Sequence, residues 1–122
     1  MLHVLLVDDD HNFRRSLLIQ LEFEGFHVTE VQSGDEALMY LDKHFQLQKG
    51  MPDLVISDMK MDGLNGTQLF SKIQQNYPSL PVILISAFEL QGEANGCPFL
   101  KKPFNMQQML SVMNQSLQNH WV

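Results

Sequence analysis

The fold is decided by the stretch LHVLLVDDD at residues 2–10. Its first six residues are apolar apart from His3, a pattern typical of a strand buried on both faces of a parallel sheet. Three aspartates follow at once, so we expect neither a signal peptide nor a membrane span here. The stretch therefore predicts an internal strand that ends at a group of carboxylates.

Strand and helix patterns alternate along the rest of the chain. The spacing of apolar side chains predicts helices at 12–24, after Ser33, at 66–76 and after Asn105. Short apolar or β-prone runs predict further strands at 27–31, 54–57, 82–85 and 99–101. This order predicts an α/β fold, a doubly wound five-stranded parallel sheet with helices on both faces.

Length and charge limit the classes of protein that fit. The chain has 122 residues, 44% of them hydrophobic, which is enough for one compact domain with a core. Its net charge of −6, with only eight scattered basic residues, argues against direct nucleic-acid binding. The single cysteine, Cys97, excludes an internal disulfide and is typical of a reducing compartment. We expect a cytoplasmic protein that is not associated with a membrane.

Chemically reactive side chains follow four of the predicted strands. Asp8 and Asp9 come after the first strand, Asp58 after the third, Ser86 after the fourth and Lys102 after the fifth. Ligands of such folds bind at the carboxyl ends of the strands. We therefore expect these five side chains to form one site.

The residue types at this edge indicate phosphate chemistry that depends on a metal ion. Carboxylates held close together repel one another, and hard oxygen ligands select Mg²⁺ or a similar ion such as Mn²⁺. Lys102 is suited to hold a phosphate oxygen, and Ser86 is suited to donate a hydrogen bond to another. Asp58 is then interpreted as a carboxylate nucleophile that forms a covalent phosphoryl group.

Four segments that carry these residues resemble the receiver family of bacterial response regulators. They are LLVDDD at 5–10, LVISDMKM at 54–61, ISA at 85–87 and KKPF at 101–104. The resemblance covers the whole chain, 1–122, as one receiver domain with a flavodoxin-like fold. It implies a two-component phosphorelay, in which Asp58 accepts a phosphoryl group from a histidine kinase or phosphotransfer protein. Such a receiver is a phosphoacceptor and not a turnover enzyme.

The resemblance also implies a role for each remaining site residue. Asp8, Asp9 and Asp58, together with the backbone carbonyl of Lys60, would hold the metal. Ser86 would be the switch hydroxyl and Lys102 the phosphate contact.

The same resemblance implies roles for Phe99 and Pro103, and two more residues lie beside the site. Phe99 matches the aromatic residue that moves inward on activation, and Lys102–Pro103 matches a cis peptide of the family. Lys60 and Phe88 flank the site, and a bulky Phe88 would shield the phosphoryl group from water.

Besides Asp62–Gly63, which stands where many members have Pro–Gly, the sequence departs from the family pattern at two places. Only 16 positions separate Ser86 from Lys102, and Gly92, Gly96 and Pro98 lie among them. We expect the fourth helix to be short or absent, and the output surface to be altered. Residues 40–52 form a longer connection than usual, and we expect 46–50 to be an extended loop.

Two other functions fit part of the pattern. A pseudo-receiver would keep these residues as an interaction module that no longer switches. A small haloacid-dehalogenase-like phosphohydrolase would use Asp8 and Asp10 as its D-x-D motif, although Asn12 stands where that family has Thr or Val. For a working receiver, the expected downstream partner is a protein, an output domain or a second copy in a homodimer.

Overall fold

The structure, a computed structural model, describes residues 1–87 and 97–120 of the chain. Strands and helices alternate in the predicted order. The elements are β1 (His3–Val7), α1 (His11–Phe23), β2 (His27–Val31), α2 (Gly34–Leu47), β3 (Leu54–Asp58), α3 (Gly66–Asn76), β4 (Val82–Ser86), β5 (Phe99–Lys101) and α4 (Met106–His120).

All five strands join one parallel sheet in the order β2-β1-β3-β4-β5. The predicted doubly wound parallel sheet is therefore confirmed. Because β1 and β3 are neighbours, residues that follow these two strands meet at one edge of the sheet.

Alternate residues of β1 face opposite sides of the sheet and join two separate cores. Val4 and Leu6 belong to the core under α1 and α4, whereas Leu5 and Val7 belong to the core under α2 and α3. The predicted apolar stripe of the last helix is confirmed, because Met109 and Met113 are buried. The remaining members of the stripe pack against the same core and are Met106, Leu110 and Leu117.

Side-chain caps fix where the helices begin. Asp10 accepts a hydrogen bond from the N–H of Phe13 at 3.1 Å, so α1 begins one residue earlier than predicted. Ser33 accepts from Glu36 at 3.1 Å, as its motif predicts. Asn65 and Asn105 complete reciprocal capping boxes with the glutamines three residues later.

The predicted loop at 46–50 is wrong in its first part, because α2 continues through Leu47. Gln and Leu are favourable helix residues, and no glycine or proline interrupts the helix before that point. Gln48 is the C-cap and has a left-handed backbone with φ of 54°, and Gly50 follows with φ of 85°. Part of the longer connection is therefore additional helix.

The described residues contain four helices, in keeping with the predicted loss or shortening of the fourth helix of the family. The segment on which that prediction falls lies mostly at 88–96, outside the described residues. In the part of the chain that the structure covers, no helix is long and apolar enough to span a bilayer.

Gly66 allows α3 to begin directly against the end of β3. Its N–H donates to the carbonyl of Met59 at 2.9 Å. A Cβ at this position would lie 2.5 Å from the carbonyl oxygen of Asp58 and 2.9 Å from Cα of Met59. These are backbone atoms, which do not move aside easily, so the close approach requires glycine.

Gly66→Ala should lower the free energy of unfolding by about 1–3 kcal/mol, because the new Cβ pushes α3 away from β3. Urea unfolding measures this difference. Ser71→Ala, at an exposed position on the same helix, is the matched control and should change stability by less than about 0.5 kcal/mol. If Gly66→Ala is as stable as this control, the close approach is not a constraint on the fold.

Candidate functional site

Three carboxylates meet at the carboxyl end of the sheet, as predicted. Asp8 and Asp9 follow β1, and Asp58 is the last residue of the neighbouring β3. One oxygen from each carboxylate lies within 4.8 Å of an oxygen from each of the others. Asp8 is buried, Asp58 is half-buried and Asp9 is exposed, so the cluster borders solvent.

The buried side chain of Asp8 has one satisfied and one unsatisfied oxygen. Its Oδ1 accepts a hydrogen bond from the N–H of Asp10 at 2.9 Å. Its Oδ2 is buried and has no hydrogen-bond partner among the residues that the structure describes. Burial, with the nearby Asp58 carboxylate as a further cause, raises the pKa of Asp8 from 3.8 to about 6. A buried oxygen of this kind is suited to bind a cation.

Arg14 fixes the backbone at the point where β1 ends. Its Nη1 donates to the carbonyl oxygen of Asp8 at 2.7 Å, and its Nε donates to Glu30 at 2.7 Å. Glu30 lies on β2 and also accepts from Arg15. This network ties β1, α1 and β2 together directly behind the carboxylates. Sequence reasoning did not identify it, because the partners are distant in the chain.

One oxygen of Asp58 accepts a backbone hydrogen bond and also forms an ion pair with Lys102. The N–H of Met59 donates to Oδ1 at 3.0 Å, and the ammonium nitrogen of Lys102 lies 3.6 Å from the same oxygen. Burial raises the pKa of Asp58, while the positive charge of Lys102 opposes the rise. The side chains of Asp58 and Lys102 are 13% and 22% exposed, so water only partly screens the ion pair.

Pairing of β4 with β5 brings Ser86 and Lys102 to the same edge. The N–H of Lys102 donates to the carbonyl oxygen of Ser86 at 2.7 Å. Ser86 is buried at the end of β4. The peptide bond between Lys102 and Pro103 is cis, as the resemblance implied.

The loop between β3 and α3 contacts Asp9. The N–H of Asp62 donates to Oδ2 of Asp9 at 3.0 Å. The exposed Lys60 lines an open cavity of about 440 Å³ together with Asp9, Asp62 and Asn65. Lys60 therefore lies in the same cavity as Asp9, while its predicted flanking role and the metal-binding role of its carbonyl stay predictions. The contact with Asp62 had no signal in the sequence.

Of the three other predicted site residues, two lie in the part of the chain that the structure describes. Phe99 begins β5 and packs, half-buried, against the core under α2 and α3. Pro103 is exposed next to Lys102, and Phe88 lies outside the described residues. Sequence reasoning assigned no site role to Phe13, whose ring centroid lies 3.8 Å from the ammonium nitrogen of Lys102.

Fold and site together define a class of protein, a parallel α/β domain with acidic, hydroxyl and lysine side chains at the carboxyl ends of its strands. The family model described as the response regulator receiver domain matches residues 4–114. The chain therefore belongs to the response regulator receiver family of two-component signal transduction. This membership favours the receiver over the phosphohydrolase among the functions that the sequence left open.

Curated relatives and solved structures agree with this assignment. The transcriptional regulatory protein GlrR of Escherichia coli K12 is 34% identical over 95% of this chain, and response regulator Rre1 of Synechocystis sp. is 34% identical over 93%. The chain spans only 26% of GlrR and 51% of Rre1. Response regulator TrrA of Thermotoga maritima, solved in complex with Mg²⁺–BeF, has 28% identity and a TM-score of 0.82. That match covers 96% of this chain and 100% of TrrA.

In protein kept free of metal by a chelator, stability should fall as the pH rises from about 4 to about 7. The folded-state pKa of Asp8, about 6, lies above its ordinary 3.8, so the folded chain keeps a proton that the unfolded chain releases. This difference corresponds to about 3 kcal/mol at neutral pH. Urea unfolding at a series of pH values measures the loss.

Asp8→Asn should remove this part of the pH dependence, because the amide does not titrate. Glu22→Gln, at an exposed position of α1, is the matched control and should follow the wild type. A wild-type curve parallel to that of Asp8→Asn would contradict the raised pKa.

Proposed function

We propose that Asp58 is the phosphoacceptor of this receiver and that Asp8, Asp9, Asp58 and the carbonyl of Lys60 bind Mg²⁺ or Mn²⁺. The observation that carries the proposal is the position of the Asp58 carboxylate, close to two other carboxylates and 3.6 Å from Lys102. In the phosphorylation step, an oxygen of Asp58 attacks the phosphorus of a phosphohistidine. The phosphorus–nitrogen bond breaks, and its electron pair stays on the imidazole, which takes a proton from solvent.

The donor set fits the ion, because it contains only hard oxygen ligands and includes the unpaired Oδ2 of Asp8. A bound Mg²⁺ would offset most of the negative charge of these carboxylates and would supply electrophilic stabilisation to a phosphoryl group. That TrrA, a structural neighbour, was solved in complex with Mg²⁺–BeF supports the proposal that this chain binds Mg²⁺.

The other site residues act on the phosphoryl group once it is on Asp58. Lys102 balances its negative charge, and the hydroxyl of Ser86 donates a hydrogen bond to one of its oxygens. Phe99 then moves inward as the switch residue. Lys60 and Phe88 are proposed to set the lifetime of the phosphoryl group, Phe88 by shielding it from water, and Pro103 is the further residue proposed to flank the site.

The proposed partners follow from this chemistry. The phosphoryl donor is a histidine kinase or a phosphotransfer protein, and the chain is a phosphoacceptor without turnover of a free substrate. One receiver domain occupies residues 1–122, and the cytoplasm is the predicted location. The signal passes to a downstream protein, an output domain or a second copy of the chain. With a net charge of −6, this segment does not itself bind nucleic acid.

Incubation with Mg²⁺ and a small acyl phosphate, followed by intact-mass measurement, tests the proposal. Wild type should gain the mass of one phosphoryl group, and Asp58→Ala should gain none, because the nucleophile is missing. Glu22→Ala is the matched control, since it removes an exposed carboxylate of α1 that has no part in the site, and it should gain the group.

Two other outcomes favour the alternatives. A folded wild-type protein that gains no mass in Mg²⁺ would make the pseudo-receiver the better interpretation. Sustained hydrolysis of a phosphomonoester that depends on Asp8 would favour the phosphohydrolase.

A further inference from the structure

The ammonium group of Lys102 contacts two different kinds of group. Its nitrogen lies 3.6 Å from Oδ1 of Asp58 and 3.8 Å from the centroid of the Phe13 ring, over the ring face. A cation within about 6 Å of a ring centroid is attracted by the negative charge on the ring face. Because the Lys102 side chain is only 22% exposed, water competes with this attraction in part.

The position of the Phe13 ring is fixed from two directions. The backbone N–H of Phe13 donates to the capping carboxylate of Asp10 at 3.1 Å, which places the residue in the first turn of α1. Its ring meets that of Phe104 nearly edge-on, with centroids 6.3 Å apart and planes at 83°. Phe104 follows Lys102 by two residues, so the segment that carries the lysine also packs against the ring.

Phe13 is less buried than the other residues of its stripe. Phe13 begins the apolar stripe of α1, which continues with Leu17 and Leu21. The two leucines are 3% and 0% exposed, whereas Phe13 is only half-buried and lies at the end of the stripe nearest the site. A leucine would continue the stripe but would have no negative ring face for the ammonium.

We propose that Phe13 is a positioning residue, whose ring holds the Lys102 ammonium beside Asp58 before a phosphoryl group arrives. This proposal rests on the proposed function of Asp58 as phosphoacceptor. A lysine side chain loses rotamer freedom when it binds a phosphate oxygen. Because the ring already restricts Lys102, less of that freedom remains to be lost during phosphoryl transfer.

Fluorination of the Phe13 ring tests the proposal with little change of shape. Each fluorine atom on the ring of residue 13, from one to three, reduces the negative charge on the ring face by a further step. The ring borders a cavity of about 250 Å³, which leaves room for the fluorine atoms. The rate of Asp58 phosphorylation by a small acyl phosphate in Mg²⁺ should fall at each step. With three fluorines it should be about 2- to 30-fold below wild type, the factor expected for loss of a cation–π contact.

Natural substitutions and a matched control complete the rate series. The phosphorylation rate of Phe13→Leu should fall as far as that of the trifluorinated protein. The rate of Phe13→Tyr, which keeps an aromatic face, should stay within about twofold of wild type. Phe26 packs against the same core cluster, so trifluorination at position 26 is the control and should leave the rate unchanged.

The NMR signals of the Lys102 ε-methylene group, assigned with Lys102→Arg, give a readout that does not depend on phosphorylation. Ring currents should shift its protons upfield in wild type, and Phe13→Leu should remove the shift. Absence of the shift, or a rate that is insensitive to fluorination in a protein that is phosphorylated, would overturn the role of Phe13. A wild type that shows the shift but takes no phosphoryl group would refute the proposed function, and with it the positioning role.

Discussion

The confinement of three carboxylates to one end of a parallel sheet is the constraint on which the rest of the site depends. Asp8, Asp9 and Asp58 have oxygens within 4.8 Å of one another. At an effective dielectric constant near 20, such charges repel by roughly 4 kcal/mol per pair at 4 Å. The fold imposes this repulsion, because β1 and β3 are neighbours and run in the same direction. The site is stable with all three ionised only when positive charge is brought to it.

The chain supplies part of that positive charge through a lysine held from several sides. A backbone hydrogen bond to Ser86 fixes the main chain of Lys102, and Phe13 and Asp58 contact its ammonium group. One lysine does not balance three carboxylates, and Oδ2 of Asp8 remains without a partner among the described residues. The arrangement is thus suited to a divalent cation and then to a phosphoryl group, which brings further negative charge.

Much of the fold and site followed from the sequence, because both depend on local patterns. Apolar runs and caps determine the strands and helix starts, and the order of strands brings Asp58 and Lys102 together without any knowledge of distances. The contacts that sequence reasoning missed join residues far apart in the chain, as for Phe13 with Lys102 and Asp62 with Asp9. The predicted loop at 46–50 differs from the structure, in which α2 continues through Leu47, because its polar residues are compatible with a loop but also favour helix.

Equilibrium unfolding with and without Mg²⁺ tests most directly the claim that this site is built for a divalent cation. At Mg²⁺ concentrations about 100 times the dissociation constant, wild type should gain about 2.7 kcal/mol of stability. Asp8→Asn should gain much less, because it lacks the buried charged ligand, while Glu22→Gln should gain as much as wild type. A wild-type stability that does not change with Mg²⁺, or an equal gain in Asp8→Asn, would contradict the claim.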